Sequence, residues 1–339
     1  MEQAIMGHQS LNNKHLAIAI DVGGTKIKAG LIDLNGELIA VERIPTPHPA
    51  SPEPIVQKIV KLITNLCDRN TISLQDIDGI GISIAGFITA DGVVTATAHL
   101  SREWIGYDLK ARLLQDLPTE YYFALDTPAP TLGEAYYGAG KGIGHFVYVT
   151  VSTGIGAGII AGGKYFIGGL GWAGGVGHTI IDETSNRVCE GCGNNGCLET
   201  FAATQGIIAT TQEFLQNNTQ SLILSMVNGD VAAITPRVVF EAAQQNDPTA
   251  LEVWSRVGHV LGIGLTNLVD IVSPTRIVVG GGISQAGDLL LAPVRDVISE
   301  RGFPPQHRKA EVVQASLGDL SGIYGAAAMV FYDLRINPL

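Results

Sequence analysis

LAIAIDVGGTKIKAGLIDLNGELIAVERI, residues 16–44, falls into three apolar runs, parted first by Gly23-Gly24 and then by Asn35-Gly36. β-Branched residues on either side of tight glycine turns favour extended chain, and Asn-Gly is a strong hairpin signal. The stretch predicts a meander of three antiparallel strands, with Asp21 near the end of the first. FVYVTVSTGIGAGIIAGGKYF (146–166) repeats the plan. Shifted by 128 positions, TKIKAGLI (25–32) falls on TGIGAGII (153–160) with five of eight residues identical. Two lobes built alike are expected; chance likeness between two glycine-rich hairpins is the other reading, because Gly, Ala and Ile are common residues.

The segments between and after these meanders complete the pattern. EPIVQKIVKLITNLCDRN (53–70) has apolar residues at helical spacing, DIDGIGISIAG (76–86) reads as a buried strand, and YYFALD (121–126) as a strand ending at Asp126. Helical patterns follow at 198–217, 236–246 and 248–272. The strand TRIVVGGGI (275–283) comes next, then a last helix across SGIYGAAAMVFYDL (321–334). Strands, helix, strand, helix, strand, given twice, imply an α/β fold with mixed sheets and helices outside. TPHPASPEP (46–54) reads as a surface loop ahead of its helix rather than a domain boundary.

Composition bounds the function. The chain has 339 residues, 46% hydrophobic and 16% charged, so it is globular and long enough for two lobes. No apolar run approaches the roughly 20 residues of a membrane helix, and no cleavable leader is legible, so a cytoplasmic protein without a membrane partner is expected. A net charge of −11 argues against a nucleic-acid partner. Glycine, 42 of 339 residues, is about 12% against a usual ~7%, so many turns must be tight or approach something closely.

Several of those turns suit phosphate. DVGGTK places Asp21 at a strand end, followed by Gly23, Gly24, Thr25 and Lys26, whose bare amides and cation suit phosphate and its magnesium; an ordinary glycine hairpin is the alternative. STGIGAG supplies Thr153, Gly154 and Gly156, and GGGI supplies Gly281 and Gly282. Three such turns, two of them in matching halves, suggest a nucleotide held between lobes. No GxxxxGK[ST] occurs, and no GxGxxG opens a helix after the first strand, so this is neither a P-loop nor a dinucleotide fingerprint.

CEGCGNNGCLE (189–199) holds three of the four cysteines. Cys189, Cys192 and Cys197, with His178 eleven residues upstream, form a Cys3His set of the kind that binds structural zinc. A disulfide is the rival; it would leave a cysteine over and is uncommon in the cytosol. Cys67, on a helical apolar face, reads as a core residue. Four protein ligands leave no open position, so zinc should hold the loop rather than do chemistry.

The whole pattern resembles the actin-like, ribonuclease H-like superfamily of sugar kinases and ATPases. VSTGIGAGIIAGGKYFIGGLGWAGGVGH (151–178), continued by CGNNGCLE (192–199), resembles the ROK family of glucokinase-like sugar kinases and sugar-responsive repressors. The resemblance runs from residue 16 over nearly the whole chain. It implies two lobes, 16–127 with 322–339 and 128–321, with mixed sheets, flanking helices and an ATP and sugar cleft between them. It implies that Asp126 is the general base on the acceptor hydroxyl and that Asp21 holds magnesium through water. A carboxylate suits phosphoryl transfer because the base needs placement more than strength. From the residues alone Asp126 also reads as a helix N-cap before TPAPTLGEAYYG. The resemblance further implies that His178 offers one ring nitrogen to zinc and the other to a sugar hydroxyl, and that Glu199 and Gly86 border the same acceptor. A solvated acid at a helix start is the other reading of Glu199.

The chain departs from the family pattern at Leu125, where Asn usually precedes the catalytic Asp, and at Gly175, where a sugar-binding Glu belongs. Ala85-Gly86 replaces Pro-Gly, His99-Leu100 replaces Asn-Leu, and the first two cysteines stand one residue further apart than in C-x-C. Two polar partners are missing, so a modified hexose or a polyol such as a cyclitol is expected as acceptor, with plain glucose as the alternative. A sugar sensor without kinase activity is the alternative of another class. A repressor would need some 60 to 80 residues of helix-turn-helix before DVGGTK, against about fifteen here. ATP is the expected donor, with polyphosphate left open, and family habit implies a dimer or tetramer.

Overall fold

The computed structural model of the chain describes residues 15–97, 100–171 and 173–335. His99, Trp172 of the 151–178 motif and residues 336–339 of the expected first lobe lie outside the described residues. Two compact units appear, one running to Tyr137 and resuming at Leu320, the other spanning Gly138–Asp319.

In the first unit the opening stretch forms β1 (Leu16–Val22), β2 (Lys26–Asp33) and β3 (Leu38–Pro45), followed by α1 (Pro52–Asn70) and β4 (Gly79–Ile84). A two-stranded hairpin, β5 (Gly86–Ile88) and β6 (Val94–Thr97), precedes α2 (Leu109–Asp116), β7 (Tyr121–Leu125) and α3 (Pro128–Tyr137). The sheet order is β3-β2-β1-β4-β7, with β1 to β3 antiparallel and β4 and β7 parallel to β1. Helix α1 forms where Pro52 opens the first turn, and it stops where Thr71 turns left-handed at φ 55°. It buries Ile55, Val56, Ile59, Leu62, Ile63 and Leu66, which join Ile18, Ile20 and Ile82 in one core. Each such side chain contributes about 1.5–3 kcal/mol on burial.

Helix α3 lies in the first compact unit and packs on the C-terminal helix Ser321–Phe331, where small residues let backbones meet. A Cβ on Gly325 would lie 1.6 Å from the Ala129 carbonyl oxygen.

The second unit repeats the sheet. It comprises β8 (Phe146–Val151), β9 (Ile155–Ala161), β10 (Lys164–Phe166), α4 (Glu199–Ala202), α5 (Thr204–Leu215), α6 (Leu222–Met226), α7 (Pro236–Gln244), α8 (Pro248–Val272), β11 (Arg276–Gly280), α9 (Asp288–Arg301) and β12 (Glu311–Gln314). The order β10-β9-β8-β11-β12 mirrors that of the first unit, again three antiparallel strands joined to two parallel ones. Helix α8 is the spine of this unit. Asp247 caps it by accepting from the Ala250 N–H at 2.8 Å, and Val253, Trp254, Val257, Leu261 and Leu265 are buried along it.

Candidate functional site

In each unit the glycine turns singled out in the sequence lie at the carboxyl ends of the parallel strands, where open α/β sheets bind ligands. In the first unit the register pairs Asp21 with Ser83 and Ser83 with Ala124, so Asp21, Gly86 and Asp126 follow neighbouring strand ends. Gly23 closes the β1–β2 turn by donating its N–H to the Lys26 carbonyl at 3.0 Å, and Gly24 and Thr25 lie within that turn. Lys26 points to solvent at the start of β2. Lys28, opposite Asp21 in the ladder, donates to its Oδ2 at 3.3 Å. Lys28 belongs to no motif in the sequence; the two-residue strand period, which sets it on the same face as Lys26, is the signal for it. Gly86 opens the β5–β6 hairpin, and a Cβ there would come within 2.9 Å of the Ala96 carbonyl oxygen.

In the second unit, the turns after β8 and β11 line one cleft of about 730 Å³. Ser152, Thr153 and Gly282 border it, with Phe240, Trp254, Ile283 and Ala286 as apolar wall and Gln244 and Gln285 as polar groups. A pocket of this size, mostly apolar with a few polar groups, suits a nucleoside. Gly281 makes the second turn possible: its φ is +84°, and a Cβ there would lie 2.4 Å from the Val151 carbonyl oxygen. The α7 and α8 residues of this wall were not legible as binding residues, because apolar positions on a helix read as core. Gly154 and Gly156 do not line this cleft: the Gly154 carbonyl accepts from the Ser152 N–H at 2.9 Å within the β8–β9 turn, and Gly156, in β9, pairs with Thr150.

The cysteine loop is built beside that turn. His178 ends a 3-10 turn, Val176–His178, and the chain from there pairs with the far side of the loop: Ile180 bridges Cys197, and the Leu198 N–H donates to the Thr179 carbonyl at 2.9 Å. Leu198, wholly buried, seats on α8 at Gly264, where a Cβ would lie 2.4 Å from its Cδ2. The residues on either side of it, Cys197 and Glu199, are thereby fixed to the longest helix of the unit.

One ligand atom each from His178, Cys189, Cys192 and Cys197 lies within 4.8 Å of the others. Cys189 Sγ stands 3.5 Å from His178 Nδ1, and Cys192 Sγ 3.5 Å from Cys197 Sγ. A tetrahedral zinc with S at ~2.3 Å and N at ~2.0 Å has edges of about 3.5–3.8 Å, so the donor set fits that ion. Burial and the Glu199 carboxylate push the Cys189 thiol up to about 12, and burial raises Cys197 as well, while the Asn194 backbone N–H lowers Cys192. A divalent cation would supply the charge that this loop lacks for holding thiolates. Because Nδ1 faces the sulfurs, Nε2 is the ring nitrogen left for another partner.

Glu199, the first residue of α4, sits between this loop and the β8–β9 turn. Its Oε1 accepts from Cys189 Sγ at 2.8 Å, its Oε2 from the Ile155 N–H at 3.5 Å, and a Cβ on Gly154 would stand 3.1 Å from Oε2. Gly175 precedes the 3-10 turn at φ −70°, with nothing within 4 Å of where its Cβ would be.

Two units with the same mixed five-stranded sheet, each bearing glycine turns at its carboxyl edge, define the class: an α/β protein of the actin-like ATPase superfamily. The model of the ROK family matches residues 17–332, and the chain belongs to that family. It is 32% identical over 314 residues to the glucokinase of Halalkalibacterium halodurans, covering 92% of this chain and 94% of that protein. It is 30% identical over 322 residues to the xylose repressor of Caldicellulosiruptor bescii, covering 95% of this chain and 79% of the repressor. Among solved structures it matches a ROK family glucokinase from Streptomyces griseus in complex with glucose and AMPPNP, with a TM-score of 0.77, 30% identity and coverage of 93% and 98%. No helix among the described residues is long and apolar enough to cross a membrane.

Proposed function

We propose that this chain is an ATP-dependent kinase acting on a hydroxyl of a modified hexose or a cyclitol-like polyol. The cleft of about 730 Å³ carries the reading, because the turns after β8 and β11 both border it, as a nucleotide with phosphates at two glycine turns requires. Similarity along nearly the full length to glucokinases, one of them in complex with glucose and AMPPNP, supports a sugar acceptor and an adenine nucleotide donor.

In this reading Asp126 accepts the proton of the acceptor hydroxyl as its oxygen bonds to the γ-phosphorus. The bond between that phosphorus and the β–γ bridging oxygen breaks, and ADP leaves with the electron pair. Asp21, paired with Lys28, would hold magnesium, which would supply neutralisation of phosphate charge. Amides of Thr153 and Gly154 and of the turn at 281–282 would receive phosphate in the second unit, and those of Gly24 and Thr25 suit phosphate in the first. His178 Nε2 and Glu199 bind acceptor hydroxyls, and a zinc ion held by His178, Cys189, Cys192 and Cys197 would fix the imidazole's tautomer and orientation.

The acceptor class rests on Leu125 and Gly175. A site that hydrogen-bonds a hydroxyl discriminates by about 10⁴ against an analogue lacking it, so loss of two polar side chains redirects the choice of acceptor. Plain glucose is the alternative, and a sugar sensor without turnover is a second reading, favoured by the similarity to a xylose repressor. Release of ADP across a panel of hexoses, amino and N-acyl hexoses and cyclitols, wild type against Asp126→Asn, separates them. Turnover lost in the variant supports the kinase. Ligand binding without ADP from any acceptor supports the sensor, and sub-millimolar KM for glucose with no better acceptor supports plain glucokinase.

A further inference from the structure

Away from the cleft and the cysteine loop, three side chains of the second unit stand in a chain of hydrogen bonds. His307 Nδ1 lies 3.1 Å from Asp270 Oδ1, and His307 Nε2 lies 3.0 Å from Ser273 Oγ. Acid, imidazole and hydroxyl thus meet in the order and at the separations of a nucleophile, its base and the group that orients the base. Asp270 lies in the last turn of α8, Ser273 just beyond its end, and His307 in the 3-10 turn Pro305–Lys309.

The arrangement is held from several sides. Asp270 Oδ1 also accepts from the Phe303 N–H at 3.0 Å, which fixes the carboxylate. The His307 side chain is 14% exposed, while Ser273 is exposed. With Asp270 as acceptor, Nδ1 carries the proton and Nε2 is free to accept from the Ser273 hydroxyl. Ser273 itself sits in the left-handed region at φ 52°, where a side chain other than glycine's is uncommon, and its N–H is taken by the Val269 carbonyl at 2.8 Å.

We propose that Ser273 is an activated nucleophile, a second site on this protein that takes an acyl group from activated esters. The Ser273 oxygen bonds to the acyl carbon while its proton passes to His307 Nε2. The ester C–O bond breaks, and the leaving alkoxide or phenolate departs with the electron pair. His307 then returns its proton to solvent, and a water activated by Nε2 releases the acid and restores the hydroxyl. Pro274 follows the nucleophile and has no N–H, so the usual donor from the next residue to a tetrahedral oxyanion is missing; removal of one such donor costs about 10²–10³ in rate. The substrates are therefore esters with good leaving groups and small acyl chains, not ordinary alkyl esters.

The same three side chains could serve only to tie the end of α8 to the loop before β12, and such a tie predicts no nucleophilicity. The test is mass spectrometry of the intact protein and its peptides after exposure to p-nitrophenyl acetate and, separately, to a fluorophosphonate. The expected result is an adduct on Ser273 and p-nitrophenolate release, both lost in Ser273→Gly, whose residue suits the left-handed backbone and keeps the fold. In His307→Gln the labelling rate should fall by roughly 10²-fold, the usual share of a general base. Asp270→Asn, which keeps an acceptor for the Phe303 N–H, should slow it likewise. No adduct at Ser273, or labelling at an equal rate in folded His307→Gln and Asp270→Asn, would overturn the proposal.

Discussion

Gly175→Glu is expected to turn the acceptor preference toward glucose. The backbone there is at φ −70°, which any L residue adopts, and nothing stands within 4 Å of the new Cβ. The substitution therefore adds a carboxylate without overpacking, three residues before His178. A charge-assisted hydrogen bond to a sugar hydroxyl contributes about 1.5–3 kcal/mol, and at 1.36 kcal/mol per tenfold this is roughly 10–150-fold in kcat/KM. The assay is ADP release with glucose and with the best acceptor of the wild type, measured on both proteins at matched zinc content and melting temperature. Glucose kcat/KM should rise within that range while that of the wild-type acceptor falls. A well-folded variant whose glucose kcat/KM is unchanged would refute the reasoning that an empty position 175 redirects the acceptor.

Two further outcomes follow from the packing and the metal loop. Purified protein should contain about one zinc per chain by elemental analysis, and Cys197→Ser or prolonged chelation should remove it and lower the melting temperature, since ligand binding to the native state alone is stabilising. Gly325→Ala should destabilise the first unit by about 1–3 kcal/mol or more, because its methyl group would lie 1.6 Å from the Ala129 carbonyl oxygen. A thermal melt with no change would mean that α3 and the C-terminal helix are not in such close contact.

The meanders were legible because period-2 apolar runs interrupted by glycine have few other ways to fold; β1 to β3 and β8 to β10 stand where the sequence puts them. Helix α8 was legible from apolar residues at helical spacing over 248–272. Helix α9 was not, because Pro293 lies inside it and its apolar pattern is weak. Strand β12 escaped notice because it is four residues long with polar ends, Glu311 and Gln314. The packing of α3 on the C-terminal helix was not legible: nothing local marks it as a partner of a helix nearly 200 residues away. In the site, Cys189, Cys192, Cys197 and His178 were readable from spacing, and the structure brings all four together. Lys28 and the Phe240–Trp254 wall were not, since one looks like a strand residue and the others like core.

Phosphoryl transfer from ATP to a sugar-like hydroxyl with Asp126 as base is followed most directly by mass spectrometry of the γ-phosphoryl group in a single turnover with excess protein, ATP, magnesium and each member of the acceptor panel. One acceptor should carry the phosphoryl group, with stoichiometric ADP, and Asp126→Asn should form neither although ATP still binds. ATP and acceptor both bound by the wild type with no phosphoryl group transferred to any acceptor, or transfer undiminished in Asp126→Asn, would contradict that chemistry.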